Sequence, residues 1–346
     1  MKKYLGPSEW HQIRSMLGNA WAMLFFMIGG REVGKSYAVA SFFVSQWRQY
    51  GRPFYWLRLT DTSAGKLLQN NAEKLIDADI RRFWGLDLVT NGDAVYEVKR
   101  DEKGKIIEKK LMARVLALST FYNDKGSGLF DKDFLNDPKM YYNICLDEMN
   151  REEGERKTFD ITYAFANELE NLVRSTKQRI RVICIGNTLA EASDILSSLN
   201  FIPREYGRYY LRKKRAVVDY IENSDRYLAR REGTLADILC PSASTFTNDA
   251  GLDTSLVTKQ RLISPTLTLK FSKSKHDWFT LWDDGIVAKY NNEKIPSIAM
   301  RPYIDDKFYV DRQRQVLELF NIRYYRFHNL LSYVQFKNHL ALIKPG

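Results

Sequence analysis

The glycine-rich segment Gly29–Ser36, which reads GGREVGKS, has the composition of a phosphate-binding loop. An apolar run from Trp21 to Ile28 precedes it and predicts a buried strand, and a segment with helical spacing follows it as far as Gln49. A strand, a glycine turn and a helix start form the context in which this spacing binds phosphate. Backbone N–H groups and the positive end of the helix both attract the anion. The segment therefore predicts a nucleotide site.

Two side chains of this loop have predicted chemical roles. Lys35 is expected to reach the β and γ phosphates of a nucleoside triphosphate, and Ser36 is expected to ligate Mg²⁺. ATP and Mg²⁺ are therefore the expected cofactors. The predicted nucleotide-binding residues of the loop are Gly29, Gly30, Arg31, Glu32, Val33, Gly34, Lys35, Ser36 and Tyr37.

A later apolar run, Tyr142–Leu146, ends in the adjacent carboxylates Asp147 and Glu148. Successive strand side chains point to opposite faces, so we expect the two acids to have different roles. Asp147 is predicted to hold Mg²⁺ through water, and Glu148 to orient and deprotonate an attacking water. The alternative is a strand that runs into a solvated acidic loop, because Arg151-Glu-Glu follows. The phosphate loop upstream favours the catalytic interpretation.

Asn187 follows another apolar run, Arg181–Gly186. An asparagine at a strand tip can sense a bound γ-phosphate, but a hydrogen-bonded turn residue is equally consistent with this pattern. Both interpretations place Asn187 at the same end of the sheet as the phosphate loop, and we include it among the predicted nucleotide-binding residues.

The predicted secondary structure from the phosphate loop to Asn187 alternates in the order strand, helix, strand, inserted hairpin (the excursion), strand, acidic strand, helix and strand. This order predicts a mostly parallel α/β sheet with the ligand at the carboxyl ends of its strands. The strands between the phosphate loop and the acid pair indicate the ASCE, RecA-like branch of P-loop ATPases, which has an added catalytic glutamate. The excursion is a predicted hairpin within Ala94–Lys110, outside the main sheet.

The composition is that of an ordinary globular protein. With 346 residues, 45% hydrophobic and 27% charged, two domains are expected. No apolar run approaches the ~20 residues of a membrane span, and no signal-peptide pattern is present, so we expect a soluble intracellular protein. Of the three cysteines, Cys145 and Cys184 lie in apolar runs and are expected to be buried thiols. The net charge of +11 indicates polyanionic partners.

Basic residues concentrate in positions 204–215, where Glu205 is the single acid. With interleaved tyrosines, this stretch suits contact with a phosphate backbone or a neighbouring subunit, and a solvated linker is the alternative. We predict an ATPase domain over residues 1–205, a basic linker over 206–245 and a C-terminal domain over 246–346. The predicted nucleic-acid contacts are Arg208, Arg212, Lys213, Lys214 and Arg215.

Together these motifs resemble the DNA-packaging motor ATPases of small short-tailed phages (podoviruses), which are related to large terminase subunits. The resemblance rests on the phosphate loop with Arg31 inside it, the acid pair ending at Glu148, Arg174 before a basic stretch, and the strand ending at Asn187. It spans the first two hundred residues and continues more loosely to the C-terminus.

The resemblance implies an ATP-driven translocase that threads double-stranded DNA into a preformed capsid. Identical subunits would form a ring, pentameric in the family, at the capsid portal vertex, and a structural RNA can tether such rings. The implied location is the cytoplasm of the infected host cell, with transient residence at the portal vertex. Another ring translocase or helicase of the same ATPase branch is the alternative, and a nucleotide-regulated binding protein without turnover is a third hypothesis.

Residue roles also follow from the resemblance. Arg31 would contact the γ-phosphate in its own subunit, and Arg174 matches the arginine that reaches into the neighbour's site. The alignment there needs a one-residue shift, so Lys177 and Arg179 remain candidates. The implied catalytic residues are Arg31, Lys35, Glu148 and Arg174.

The C-terminal part resembles the nuclease-derived, ribonuclease-H-like α+β domain of packaging motors. Active members of that fold need an acidic residue in the first strand to help hold two metal ions. The predicted first strand, Thr266–Phe271, contains no acid, and Asp283 and Asp284 suit a turn. We therefore expect no nuclease activity.

Overall fold

A computed structural model describes residues 2–7, 9–123, 141–150, 159–173, 179–187, 193–203, 205–239, 256–258, 267–269, 278–282, 286–291 and 309–340. The chain divides into two compact units. The first comprises Met1–Ile195 and Glu205–Ala250, and the second comprises Leu196–Arg204 and Gly251–Gly346.

The first unit is built on a ten-stranded sheet. Its strands are β1 (Lys2–Lys3), β2 (Leu24–Ile28), β3 (Phe54–Arg58), β4 (Leu88–Asn91), β5 (Ala94–Arg100), β6 (Ile106–Ala117), β7 (Tyr142–Asp147), β8 (Ile180–Gly186), β9 (Gly207–Leu211) and β10 (Ala216–Tyr220). The order is β1-β9-β10-β2-β8-β7-β3-β6-β5-β4. The six strands from β10 to β6 are parallel, and antiparallel strands extend both edges. The predicted mostly parallel α/β sheet is confirmed.

The helices of the first unit are α1 (Arg14–Leu17), α2 (Lys35–Tyr50), α3 (Asp61–Ala72), α4 (Ala78–Trp84), α5 (Ile161–Val173), α7 (Asp225–Arg231) and α8 (Leu235–Leu239). Helix α6 (Asp194–Ser198) lies at the division between the units, with Leu196–Ser198 in the second unit. Helix α2 has apolar side chains at four-residue spacing, Val39, Phe43 and Trp47, and this face is buried against Phe54 and Trp56 of β3. Because α2 is anchored in the core, the phosphate loop at its start has a fixed base.

Two predictions about the edges of the sheet are wrong. The hairpin of β5 and β6 belongs to the main sheet, because β6 is long enough to continue past the hairpin and pair with β3 through Ala113–Ala117. Residues 206–245, predicted to be a linker, supply β9, β10, α7 and α8. The apolar run Ala216–Tyr220 is wholly buried beside β2, and the surrounding charged residues conceal it in the sequence.

The second unit has a four-stranded sheet in the order β11 (Leu267–Leu269), β12 (Trp278–Trp282), β13 (Val287–Asn291) and β14 (Arg326–Phe327), with α9 (Tyr309–Asn321) and α10 (Leu330–Leu340). Strands β11 to β13 are antiparallel, and β14 joins β13 in parallel. Asp283 and Asp284, predicted to suit a turn, lie outside the described residues, between the antiparallel strands β12 and β13. The ribonuclease-H-like assignment stays a prediction.

Two further expectations concern cysteines and membranes. Cys145 and Cys184 are buried and free, as predicted, and burial raises the pKa of both thiols. Cys240 lies outside the described residues. In the described ranges, none of the helices combines the length and apolar character that crossing a bilayer requires.

Candidate nucleotide-binding and hydrolysis site

The phosphate loop joins the end of β2 at Ile28 to the start of α2 at Lys35. Gly34 precedes the helix with φ of 75°, in the left-handed region that favours glycine. The Trp10 ring also covers this position, since a Cβ on Gly34 would lie 2.9 Å from a ring carbon. Gly34 is therefore required both by its backbone angle and by the close approach of Trp10.

Lys35 is buried at the base of the loop. Its Nζ donates hydrogen bonds to the carbonyl oxygens of Gly29 at 2.8 Å and Gly30 at 2.5 Å. Burial lowers the pKa of Lys35 to about 8, with Asp147 acting in the opposite direction and Arg31 lowering it further. The ammonium group is therefore poorly compensated by the protein, and an added phosphate charge would stabilise it.

Ser36 and Asp147 meet across the site, where the Ser36 hydroxyl donates to a carboxylate oxygen of Asp147 at 3.2 Å. Asp147 is buried, and this burial raises its pKa, while the Arg58 guanidinium acts in the opposite direction. A hydroxyl oxygen beside a buried carboxylate is a donor set that suits Mg²⁺, which prefers oxygen ligands. The residues present therefore fit the predicted metal.

Glu148 lies just beyond the end of β7 with φ of 57°. This left-handed turn redirects its side chain, so that Arg58 contacts both acids, Asp147 at 3.2 Å and Glu148 at closer range. The prediction that the two acids point to opposite faces is wrong, because strand alternation stops at Asp147. Their environments still differ: the Asp147 side chain is 6% exposed and that of Glu148 is 56% exposed.

These groups surround one cavity of about 510 Å³. It is lined by Arg31, Glu32, Gly34, Lys35, Ser36, Tyr37, Arg58, Asp147, Glu148, Ile185 and Asn187. Most of the predicted nucleotide-site residues therefore come together. Val33 differs, because its side chain is buried in a separate cluster with Ile221 and Tyr227, which leaves its backbone for a ligand.

Sequence reasoning missed two residues of the site, Arg58 and Trp10. Arg58 ends β3, the strand beside β7 in the sheet. A charged residue at the carboxyl end of an apolar run was the available signal, but the neighbouring strands were not known from the sequence. Trp10 lies far upstream of the phosphate loop, and nothing in the sequence indicates that it packs on Gly34.

Of the three residues predicted to act on a neighbouring subunit's site, the structure describes Arg179. Arg174 and Lys177 lie outside the described residues. Arg179 lies immediately before β8, where its carbonyl oxygen accepts from the N–H of Tyr142. This is the amino edge of the parallel strands, opposite the edge that holds Lys35.

The structure contradicts one predicted nucleic-acid contact. Arg208 is 2% exposed, and its guanidinium makes two hydrogen bonds to the buried carboxylate of Asp219, at 2.6 and 2.7 Å. It is therefore not available to a phosphate backbone. The other four residues, Arg212, Lys213, Lys214 and Arg215, form the exposed turn between β9 and β10, which we call the basic turn.

The pKa of Lys35 gives a testable pH dependence. As the pH rises through about 8 the free protein loses the Lys35 charge, whereas a bound triphosphate favours the charged form. We expect ATP affinity to be constant from pH 7 to 7.5 and then to fall by up to about tenfold per pH unit above 8. Titration calorimetry at several pH values measures this.

The matched control for this titration is Lys35→Arg, whose guanidinium stays charged, so that its residual affinity should be flat over the same range. A wild-type affinity that does not change between pH 8 and 9.5 would contradict the role of Lys35 in anion binding.

A glycine loop between a buried strand and a helix, with carboxylates at the tip of a parallel strand nearby, defines a P-loop nucleotide-binding protein. The comparison with known families narrows this class. The chain belongs to the podovirus DNA encapsidation protein (Gp16) family, whose model matches residues 7–258.

Individual relatives agree with this family. The DNA packaging proteins of Bacillus phages phi29 and PZA are each 23% identical over 181 residues, or 52% of this chain. That match spans about half (47%) of the length of these curated relatives.

Solved structures with the same fold cover nearly the whole chain. The Phi-28 gp11 DNA packaging motor is similar with a TM-score of 0.61 and 14% identity, covering 98% of this chain and 100% of its own. The bacteriophage Phi-29 viral genome packaging motor assembly is similar with a TM-score of 0.60 and 18% identity, covering 96% and 100%. At these identities the similarity establishes the fold.

Proposed function

We propose that this protein is an ATPase that drives double-stranded DNA into a preformed viral capsid. The observation that carries the proposal is the single cavity in which Lys35, Ser36, Asp147 and Glu148 meet. These are the groups that phosphoryl transfer to water requires. Membership of the DNA encapsidation family supports DNA as the substrate that is moved.

In the proposed reaction, Glu148 orients a water molecule and accepts its proton as the oxygen attacks the γ-phosphorus. The bond between the γ-phosphorus and the bridging oxygen breaks, and ADP leaves with the electron pair. Lys35 and backbone N–H groups of the loop stabilise the phosphate oxygens. Ser36 and Asp147 would hold Mg²⁺, which when bound neutralises charge on the β and γ phosphates.

Arg58 contacts the Glu148 carboxylate, and this contact has to open before the carboxylate can turn towards an attacking water. Asp147 keeps its own contact with Arg58, which orients the metal-binding carboxylate.

A neighbouring subunit is the proposed source of a further positive charge at the site. Strand β8 has seven residues and is therefore about 20 Å long, and Arg179 precedes its far end. Arg179 is therefore too far away to reach the phosphate loop of its own subunit. We infer that identical subunits form a ring, pentameric as in the family, in which Arg174, or else Lys177 or Arg179, acts on the next site.

The basic turn is the proposed DNA contact. The strand pairing Ala216↔Leu24 places this turn at the amino edge of the sheet, opposite the phosphate loop. Arg212 stacks over the Trp21 ring at 4.2 Å, and Arg215 donates to the Trp21 carbonyl oxygen, which orders the turn. The proposed further partners, in the cytoplasm of the infected cell, are the portal, the capsid and a structural RNA that tethers the ring.

A phosphate-release assay with and without duplex DNA, repeated over a salt series, tests this function. We expect DNA to stimulate turnover, with an apparent DNA affinity that falls linearly with salt on logarithmic axes. For Lys213→Ala/Lys214→Ala the slope should decrease in magnitude by up to about 2, because two phosphate contacts are removed.

The matched control is Lys103→Ala/Lys105→Ala, which removes two exposed lysines from the hairpin of β5 and β6. Its slope should equal that of the wild type. ATP binding without any turnover would instead support a nucleotide-regulated binding protein, and strand separation on forked DNA in the absence of capsids would support a helicase.

A further inference from the structure

Three consecutive carbonyl groups of the phosphate loop accept hydrogen bonds from outside the loop. The Tyr227 hydroxyl donates to the carbonyl oxygen of Arg31 at 2.7 Å. Arg230 donates to that of Glu32 at 3.0 Å. The backbone N–H of His11 donates to that of Val33 at 3.1 Å. Two of the three donors belong to α7, a helix from the region that the sequence assigned to a linker.

These contacts determine where the N–H groups of the loop point. In a trans peptide the C=O of one residue and the N–H of the next point in opposite directions. Holding the carbonyls of residues 31, 32 and 33 therefore turns the N–H groups of residues 32, 33 and 34 away from α7 and His11. A phosphate loop binds its ligand through such converging N–H groups.

Glu32 shows why the loop needs external support. Its φ of 66° lies in the left-handed region, which is unfavourable for a residue with a side chain. Arg231, which is 6% exposed, pairs with the Glu32 carboxylate at 2.9 Å, while Arg230 holds the carbonyl of the same residue. A conformation that the isolated loop would resist is thus stabilised from α7.

Packing fixes α7 in this position. The Tyr227 ring is fully buried with Val33 and Ile221, and the Ser224 side chain caps the helix by accepting from the N–H of Tyr227. The Arg230 guanidinium also stacks over the Trp10 ring at 4.4 Å, the same ring that covers Gly34. The helix therefore contacts the loop both directly and through Trp10.

We propose that α7 is a brace that holds the phosphate loop in its nucleotide-binding conformation, and that Tyr227, Arg230 and Arg231 are positioning residues for ATP. Tyr227, Arg230 and Arg231 contact the loop and are not among the residues that line the cavity. This inference rests on the proposed nucleotide site. It predicts that loosening α7 weakens nucleotide affinity, since only part of the population then has the competent loop.

The test uses Tyr227→Phe, Arg230→Ala and the double variant, with AMP-PNP and Mg²⁺ as the titrant in calorimetry. Each single variant should raise the Kd by about two- to tenfold, as expected for one lost hydrogen bond, with the binding stoichiometry unchanged. In steady-state turnover the KM for ATP should rise by a similar factor while kcat stays within about twofold. Arg226→Ala is the matched control, because Arg226 is an exposed arginine on the same helix.

Hydrogen exchange gives an independent measurement. In the wild type, AMP-PNP should slow amide exchange over residues 225–231, and Tyr227→Phe should remove most of this protection. Wild-type Kd values in Tyr227→Phe and Arg230→Ala would overturn the brace and leave the proposed function intact. A lower AMP-PNP binding stoichiometry with an unchanged Kd in these variants would also overturn the brace, because it would show that α7 supports folding and not the conformation of the loop. No AMP-PNP binding by the wild type would overturn both.

Discussion

Glu148→Gln is expected to bind ATP with near wild-type affinity and to lose about a hundred- to ten-thousandfold in kcat. Glutamine retains the size of the side chain but cannot accept the proton of the attacking water, and a general base contributes a factor of this order. The half-exposed position of Glu148 makes destabilisation of the fold by this change small. Direct ATP titration and single-turnover phosphate release separate binding from chemistry.

The matched control is Glu170→Gln, an exposed glutamate on α5, which should turn over at the wild-type rate. Asp147→Asn provides a contrast, because it should raise the Mg²⁺ concentration needed for half-maximal activity. Turnover at the wild-type rate by Glu148→Gln would show that Glu148 is not the base. Another group near Arg58, which contacts both acids, would then orient the attacking water.

Mixing two inactive variants is expected to restore activity if the arginine acts between subunits. Arg174→Ala retains a complete site but lacks the arginine, and should lose about a thousand- to a hundred-thousandfold in kcat. Glu148→Gln retains the arginine and lacks the base. In a randomly mixed ring with equal parts of each, about a quarter of the sites combine an intact base with an intact neighbouring arginine. Turnover should therefore recover to about a quarter of the wild-type rate.

Lys177→Ala and Arg179→Ala, each mixed with Glu148→Gln, identify which residue of the connection acts. The variant that is inactive alone and rescued by mixing contains the trans-acting residue. If Arg174→Ala is inactive and gains nothing from mixing under conditions where rings form, the arginine acts within its own subunit or has no role in catalysis. That result would contradict the ring mechanism and leave the nucleotide site unaffected.

The chemistry of the site and the class of fold could be predicted from the amino-acid sequence. The phosphate loop and the acid pair are local patterns, whose function depends on residues a few positions apart. The alternation of strands and helices likewise predicted the parallel sheet, because buried parallel strands appear as unbroken apolar runs. In these features, the residues that act together in space are also close together in the chain.

The side chains that complete the site from distant parts of the chain could not be predicted, because they depend on the order of the strands in the sheet. Arg58 contacts both acids because β3 pairs with β7. Arg208 is not part of the predicted DNA surface because it is buried in a hydrogen-bonded pair with Asp219 of the adjacent strand. Tyr227 reaches a loop nearly two hundred residues earlier because β10 lies beside β2 and delivers α7 to it. The physical reason is that strand order and left-handed turns such as that of Glu148 set these contacts, and neither leaves a pattern in the local sequence.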